Sequence, residues 1–251
     1  MNKDPGTILG MIYLAAVLII IFLPMAERWH KGKLRSKAFR KAAEKLGFDF
    51  AEKSDIFLNS AAKQCGLWDY LKYPNLILEI LGIYLEKIRN VAYNISISHG
   101  EMKIFDFYYA KRYKSRFKSI KTCAFAEFDI YTNFPKFAIN PVPADFFNRA
   151  HRKIFGPGNT DFDTYREFSE KYYLHCCDEE KKGETLRLLS PSVITALEKT
   201  KDLTIYANGR HIAYCSSDGG IKPEELASFA EEAKNVIQMI YSNLCPQNLS
   251  R

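Results

Sequence analysis

The residues with the clearest chemical potential are a few carboxylates set among aromatic side chains. Asp106 lies inside the apolar run IFDFYY (104–109), where burial could make a carboxylate a general base. A structural carboxylate that accepts hydrogen bonds from backbone amides, Arg or Tyr is the favoured interpretation. Asp161 and Asp163 share a face if their backbone is extended, and such a pair can hold a divalent ion. The further oxygen ligands and the glycine of a calcium loop are missing, so a loop or helix-capping role is favoured.

Histidine and cysteine side chains form a second group. His175, Cys176 and Cys177 are consecutive, and His211 and Cys215 share a face if their strand is regular. Zinc takes four tetrahedral ligands, and neighbouring residues of a strand point to opposite faces, so both adjacent thiols do not easily reach one ion. We therefore predict buried thiols, with no metal and no cofactor.

Recognised catalytic signatures do not occur in the sequence. A nucleophilic Ser or Cys needs a base within hydrogen-bond reach, and the chain has no nucleophile elbow, Walker loop, GxGxxG or HExxH motif. These observations favour a protein without catalytic activity. The alternative hypothesis is a membrane-bound hydrolase or transferase that uses Asp106, or Asp161 with Asp163.

The sharpest surface feature is a run of basic residues in which Tyr113 and Phe117 are interleaved. Its basic members are Lys111, Arg112, Lys114, Arg116, Lys118 and Lys121. The run has no acidic residue, whereas the whole chain has a formal charge of only +7. It can bind anionic lipid head groups or a protein partner, or it can be a solvated loop. Nucleic acid is disfavoured because the basicity is local.

An uncharged apolar stretch, residues 8–26, predicts the location of the chain. About 20 apolar residues in a helix cross a hydrocarbon core of about 30 Å, so we predict one transmembrane helix. A cleaved signal peptide would have a shorter apolar core, more basic residues before it and a cleavage site after it.

The distribution of Lys and Arg predicts the orientation of this helix. Lys3 precedes the stretch, and eight basic residues follow it closely: Arg28, Lys31, Lys33, Arg35, Lys37, Arg40, Lys41 and Lys45. The positive-inside rule then places the N-terminus outside and the remaining chain in the cytoplasm, at the inner (plasma) membrane. In that reducing compartment the six cysteines, which show no CxxC spacing, are expected to be free thiols.

Apolar periodicity beyond the stretch predicts an α+β domain, with a mainly antiparallel sheet and helices packed on one face. The predicted helices are 36–46, 75–88, 143–155, 190–199 and 223–244, with Ile237 and Ile240 against the sheet. The predicted strands are 91–98, 101–109, 120–131, 136–140, 168–177, 203–206 and 211–215. Turns are predicted at His99-Gly100 and Asn208-Gly209. In the first strand, the residues predicted to share one face are Val91, Tyr93, Ile95 and Ile97.

The apolar segment 65–88 has two interpretations. Its residues at helical spacing are Ile77, Ile80, Leu81, Tyr84, Leu85 and Ile88. They form either a core helix packed on the sheet or an amphipathic segment at the membrane interface. The predicted organisation is a short extracytoplasmic N-terminus (1–7), a transmembrane helix (8–26), a basic linker (27–35), a cytoplasmic domain (36–245) and a tail (246–251).

Several motifs resemble a group of uncharacterised bacterial membrane-anchored proteins with one N-terminal span and one cytoplasmic α+β domain. The motifs are LGFDF (46–50), IRNV (88–91), IFDFYY (104–109), FPKFAINP (134–141) and DFDTYREFSEKYYL (161–174). The apolar segment 65–85 departs from that pattern. No activity is assigned to the group, so the resemblance implies an architecture and no catalytic residues. We therefore predict a membrane-tethered cytoplasmic interaction module that contacts anionic lipid or a protein partner.

Overall fold

The computed structural model describes residues 5–53, 61, 87–110, 118–142, 165–176, 180–200, 203–216 and 220–244. The first half contains α1 (Pro5–Lys45), β1 (Asp49–Lys53), β2 (Lys87–Ile97), β3 (Gly100–Ala110), β4 (Lys118–Phe128) and β5 (Phe134–Pro141). The second half contains α2 (Arg166–Lys171), β6 (Tyr172–Cys176), α3 (Lys182–Leu188), α4 (Pro191–Lys199), β7 (Thr204–Gly209), β8 (His211–Cys215), a 3-10 turn (Pro223–Glu225) and α5 (Leu226–Leu244).

The described strands form one eight-stranded antiparallel sheet in the order β1-β2-β3-β4-β8-β7-β5-β6. Strands β1 to β4 are neighbours in chain order, and the β7–β8 hairpin joins β4 to β5. The predicted α+β class with a mainly antiparallel sheet is confirmed. Among the residues whose side chains the structure describes, which leave out most of 5–25, no helix is both long enough and apolar enough to cross a membrane.

The main core lies between one face of this sheet and the described helices. Each of the five contributes buried apolar side chains, among them Phe39, Phe168, Leu188, Val193 and Ile240. Ile237 and Ile240 are fully buried, which confirms that α5 packs its apolar stripe inward. The opposite face also buries a smaller apolar cluster, formed by Ile88, Val91, Phe105, Phe107, Cys123, Phe125, Ala138, Tyr206, Ala213 and Cys215.

The regular alternation predicted for β2 is wrong, because the strand is irregular at two asparagines. Asn90 and Asn94 have φ angles of 55° and 61°, and the pairing with β3 shifts between Arg89 and Ala92 and again before Ile95. Asn tolerates this left-handed conformation better than most residues, and each bulge reverses the faces that follow it. Ile95 and Ile97 consequently join the helix-side core, whereas Val91 joins the opposite cluster.

Three other predicted boundaries change. The segment predicted as one strand from 168 to 177 is divided between α2 and β6, and the exposed Arg166–Glu170 ion pair at i,i+4 supports the helical half. The first turn lies at Ser98-His99, because Ile97 pairs with Gly100. The helix predicted at 36–46 is the last part of the longer α1. The predicted helix 143–155 and most of 75–88 lie outside the described residues, although Lys87 and Ile88 begin β2.

The backbone confirms the predicted start of α4 and the second hairpin, whose turn is shifted by one residue. Ser190 precedes α4 and Pro191 is its first residue, as expected for a helix start. The β7–β8 hairpin predicted at Asn208-Gly209 is present, but its turn lies one residue later, at Gly209 and Arg210, since Asn208 pairs with His211 and Gly209 adopts a φ of 57°. This positive φ is the conformation that a tight two-residue hairpin requires and that glycine adopts without strain.

We expect Ile240→Ala to lower the free energy of unfolding by about 2–5 kcal/mol, because it removes three carbons from a fully buried site and leaves a cavity. Urea denaturation of the full chain measures this loss. Glu231→Ala at an exposed position of the same helix is the surface comparison, and its effect should be smaller. A loss within about 0.5 kcal/mol for Ile240→Ala, the range of ordinary surface substitutions, would show that α5 is not packed as described.

Candidate functional site

Asp106 on β3 is fully buried, and hydrogen-bond donors surround its carboxylate. Arg35 donates from Nε to Oδ2 and from Nη2 to Oδ1, each at 2.7 Å. Asn90 Nδ2 donates to Oδ2 at 2.7 Å, and Thr122 Oγ1 donates to Oδ1 at 2.9 Å. Each carboxylate oxygen therefore accepts two hydrogen bonds, and the Arg35 pairing is bidentate. We call these four residues the Arg35–Asp106 network.

Four elements of the fold position this network. The register of β3 with β4 sets Thr122 directly opposite Asp106. The bulge of β2 turns the amide of Asn90 towards the carboxylate, and the hydroxyl of Ser36 on α1 donates to Asn90 Oδ1. Helix α1 supplies Arg35 from 71 positions away in the sequence. The network therefore forms only when α1, β2, β3 and β4 are assembled.

The segment before the 3-10 turn completes the surroundings of the guanidinium. Arg35 Nη1 donates to the carbonyl of Ile221 at 2.9 Å, and Ile221 N donates to Thr122 Oγ1 at 3.1 Å. Gly220 has a φ of 67°, and a Cβ there would lie 3.1 Å from both Arg35 Nη2 and Thr122 Oγ1. Glycine suits this position because it accepts the positive φ and leaves room for the guanidinium.

The charges of the network stabilise each other. Burial by itself would lower the pKa of Arg35, but the hydrogen bond and negative charge of Asp106 outweigh it and raise that pKa. Burial, and then the charge of Asp106, raises the pKa of the neighbouring Tyr108. A carboxylate that is buried and saturated with donors suits an ion pair better than proton transfer. The geometry thus favours the structural interpretation of Asp106.

The predicted basic surface lies mostly outside the described residues. Lys118 begins β4, and Lys121 is half-buried with Nζ 3.4 Å from Thr204 Oγ1. Lys111, Arg112, Lys114 and Arg116 fall in the segment 111–117, which the structure does not describe. The strand residues that flank this segment, Ala110 and Lys118, are the last pair of the β3–β4 register.

Helix α1 leaves the domain at the same end of the sheet. Ser36 contacts Asn90, and Phe39, one turn later, contacts Phe50, which pairs with Ala92 further along β2. The helix therefore runs towards the β2–β3 turn, and its residues before Arg35 extend the other way. Nine helical residues back from Arg35 span about 14 Å, and four strand residues from Asp106 to Ala110 span about 13 Å. Residue 26 and the ends of β3 and β4 thus lie on the same side of the Arg35–Asp106 pair, away from the β2–β3 turn.

The histidine and cysteine side chains considered as zinc ligands are not brought together where the structure describes them. His175 is exposed and Cys176 buried on the edge strand β6, which β5 and β7 separate from His211 and Cys215 on β8. The ring of His211 stacks on Phe125 at 5.3 Å, and burial lowers the pKa of His211. The described residues contain no group of three His, Cys, Asp or Glu side chains that could hold a metal. Asp161, Asp163 and Cys177 lie outside them.

A groove of about 1040 Å³ between α4 and α5 was not found by sequence reasoning. Tyr214, nearly fully buried on β8, contributes to its floor and donates a hydrogen bond of 2.5 Å to Glu232 Oε1 on α5. Burial and then this hydrogen bond raise the pKa of Tyr214 well above its usual value. Gly220 and Ile221, which contact the Arg35–Asp106 network, also line one end of the groove. The signal in the sequence was the row of polar residues at helical spacing on α4, Ser192, Thr195 and Lys199.

Comparisons with known proteins give one structural similarity. No family model matches the sequence, and no curated protein matches it. The chain is similar to a solved structure titled crystal structure of the mycobacterial trehalose monomycolate transport factor A, TtfA, with 9% identity and a TM-score of 0.44. The similarity covers 84% of this chain and 94% of that chain. A similarity of this degree carries no assignment of function.

We expect Asp106→Ala to lower the free energy of unfolding by about 3 kcal/mol, because it leaves the Arg35 guanidinium without its carboxylate. The value lies at the low end for a broken buried pair, since 18% of the Arg35 side chain is exposed. The double variant Arg35→Met with Asp106→Leu should recover much of that stability, because no uncompensated charge remains. Urea denaturation measures both effects. Glu27→Gln, which breaks the exposed pair with Lys31, is the matched control and should change stability by less than about 1 kcal/mol.

Proposed function

We propose that this chain is a membrane-tethered cytoplasmic interaction module without catalytic activity of its own. One observation carries the proposal: α1 contains the apolar stretch 8–26 and continues as one helix to Lys45, where its last turns pack in the domain core. The bidentate pair of Arg35 with Asp106 fixes that helix to the sheet. A domain attached in this way has a fixed direction relative to its anchor.

The proposed location is the inner (plasma) membrane, with a single span, the N-terminus outside and the domain in the cytoplasm. The support is the excess of Lys and Arg after residue 26 and the length of the apolar stretch. The proposed architecture is that of the bacterial membrane-anchored proteins which the sequence motifs resemble, and membership of that group is part of the proposal.

The proposed partners are anionic lipid head groups and a protein. The basic segment 111–121 is attached to the strand ends on the side from which α1 leaves the domain. In the proposed orientation these charges face the inner leaflet, where each Lys or Arg contributes about 1 kcal/mol. The tether has already removed most of the entropic cost of approach.

The hydrolase or transferase hypothesis receives no support from the described residues. Asp106 is buried and occupied by Arg35, Asn90 and Thr122. Asp161 and Asp163 lie outside the described residues. We therefore retain the interaction module as the proposed function.

A reporter fused after Arg251 should show activity that depends on a cytoplasmic location, because eight basic residues follow the proposed span and one precedes it. The measurement compares a cytoplasmic and a periplasmic reporter on the full chain. Activity of the periplasmic reporter would reverse the orientation and place the cysteines in an oxidising compartment.

A fragment that begins at Glu27, and so keeps Arg35, should bind vesicles of anionic lipid and dissociate from them at about 0.5 M salt, where charges are screened within a few ångströms. Replacing Lys111, Arg112, Lys114 and Arg116 with Gln should weaken the binding more than tenfold, because each Lys or Arg near the surface contributes about 1 kcal/mol. Co-sedimentation measures it, and vesicles of zwitterionic lipid are the control. If the wild-type fragment ignores anionic vesicles at low salt, the basic segment does not bind lipid.

A further inference from the structure

The groove between α4 and α5 is a docking surface built from two helices over the sheet. We propose that it binds a basic amphipathic helix of a partner protein. The inference rests on the proposed function, because it names the kind of partner that the interaction module takes.

The two walls of the groove are antiparallel helices, and their exposed faces have helical periodicity. Asn243 near the end of α5 donates to the carbonyl of Leu188 and to Ser190 at the start of α4. The wall that includes α5 consists of Glu225, Ser228, Phe229, Glu232, Asn235, Val236 and Met239. From Glu225 to Met239 this wall is about 21 Å long, which matches a helix of about 14 residues.

The shape of the groove favours a helix over other ligands. Strands β7 and β8 beneath it are paired on both sides, so their backbones have no free edge for an added strand. The volume of about 1040 Å³ lies at the upper end of the range of about 300–1,000 Å³ usual for sites that enclose small molecules, and the lining residues extend along both α4 and α5. A third helix can pack along two antiparallel helices in the same way as in helix bundles, with the side-chain ridges of one helix in the grooves of its neighbours.

The base of the groove is apolar. Leu203, Phe229 and Val236 are buried beneath it, and Ala196 and Met239 are half-buried on the two walls. Met239 is unbranched and flexible, and such a side chain adapts to the contours of a docked helix. The occupant must therefore present an apolar stripe to the groove.

The rims of the groove determine the charge of the occupant. Glu225, the last residue of the 3-10 turn, and Glu232 on α5 are exposed and seven residues apart, so they lie about two turns apart on the same wall of the groove. Their hydrogen bonds to the Lys222 amide and the Tyr214 hydroxyl each involve one carboxylate oxygen. The opposite rim carries the hydroxyls of Ser192 and Thr195, with Lys199 near one end. A helix with Lys or Arg along one flank complements the acidic rim.

The test uses the full chain in nanodiscs of zwitterionic lipid and a labelled synthetic 15-residue helix with leucines on one face and lysines on the other. Fluorescence anisotropy should show saturable binding above that to empty nanodiscs. The double variant Glu225→Gln with Glu232→Gln keeps both acceptor oxygens and removes the rim charges. It should weaken binding about fivefold to tenfold, because two ion pairs are lost.

A matched double variant distinguishes binding in the groove from general electrostatic attraction of the peptide to nearby acidic residues. Glu224→Gln with Glu231→Gln removes the same charge from exposed neighbours that do not line the groove, and it should change the affinity less than twofold. Thr195→Trp, which adds bulk at an exposed wall position, should also weaken binding. A peptide with glutamates in place of the lysines should bind much more weakly.

Three results would overturn the proposal: no saturable binding of the lysine peptide, equal losses in the two double variants, or equal binding of the glutamate peptide. The reporter fusions after Arg251 test the membrane topology independently of peptide binding. A chain with the expected topology and no peptide binding would reject the groove partner and leave the tethered module intact.

Discussion

A carboxylate without solvent exposure determines how this domain is assembled. The charge of Asp106 is stable inside the protein only if a cation and several hydrogen-bond donors accompany it, because burial of an isolated charge is very costly. Arg35 supplies the cation, and Asn90 and Thr122 supply the remaining donors. An apolar contact would tolerate small shifts of α1 along the sheet, whereas a bidentate pair tolerates very few. We infer that the network specifies the register of α1 more than it adds to stability.

The register of α1 has consequences for the rest of the molecule. It directs the first part of the helix past the ends of β3 and β4, to which the basic segment is attached. In the proposed orientation, the membrane anchor and the basic segment 111–121 then contact the same leaflet, and no further interaction is needed to orient the domain. The bulge of β2 is part of this arrangement. In a regular strand without the bulge, the Asn90 side chain would have a different orientation relative to Asp106.

The sequence predicted those elements whose signals are local. Ser190-Pro191 marks the start of α4, Asn208-Gly209 marks the β7–β8 turn to within one residue, and the apolar stripe of α5 predicts its buried face. The partner of Asp106 could not be predicted, because Arg35 lies 71 residues away among many other basic residues. The groove was missed for a similar reason, since its walls become neighbours only after the sheet has formed. Asn90 and Asn94 within β2 were the available signal for bulges.

The tether and the groove are joined by two residues. Ile221 accepts a hydrogen bond from Arg35 and donates one to Thr122, and with Gly220 it also closes one end of the groove. The end of the groove is therefore held at a fixed place relative to α1 by hydrogen bonds to the same ion pair. In the proposed arrangement, a helix in the groove would lie along the domain with one end towards the membrane. A partner anchored in the same membrane could then reach the groove through a short connection, and a short tether raises its effective concentration there. A modest affinity between groove and helix would be sufficient for such a pair, which agrees with a groove that is open and only partly apolar.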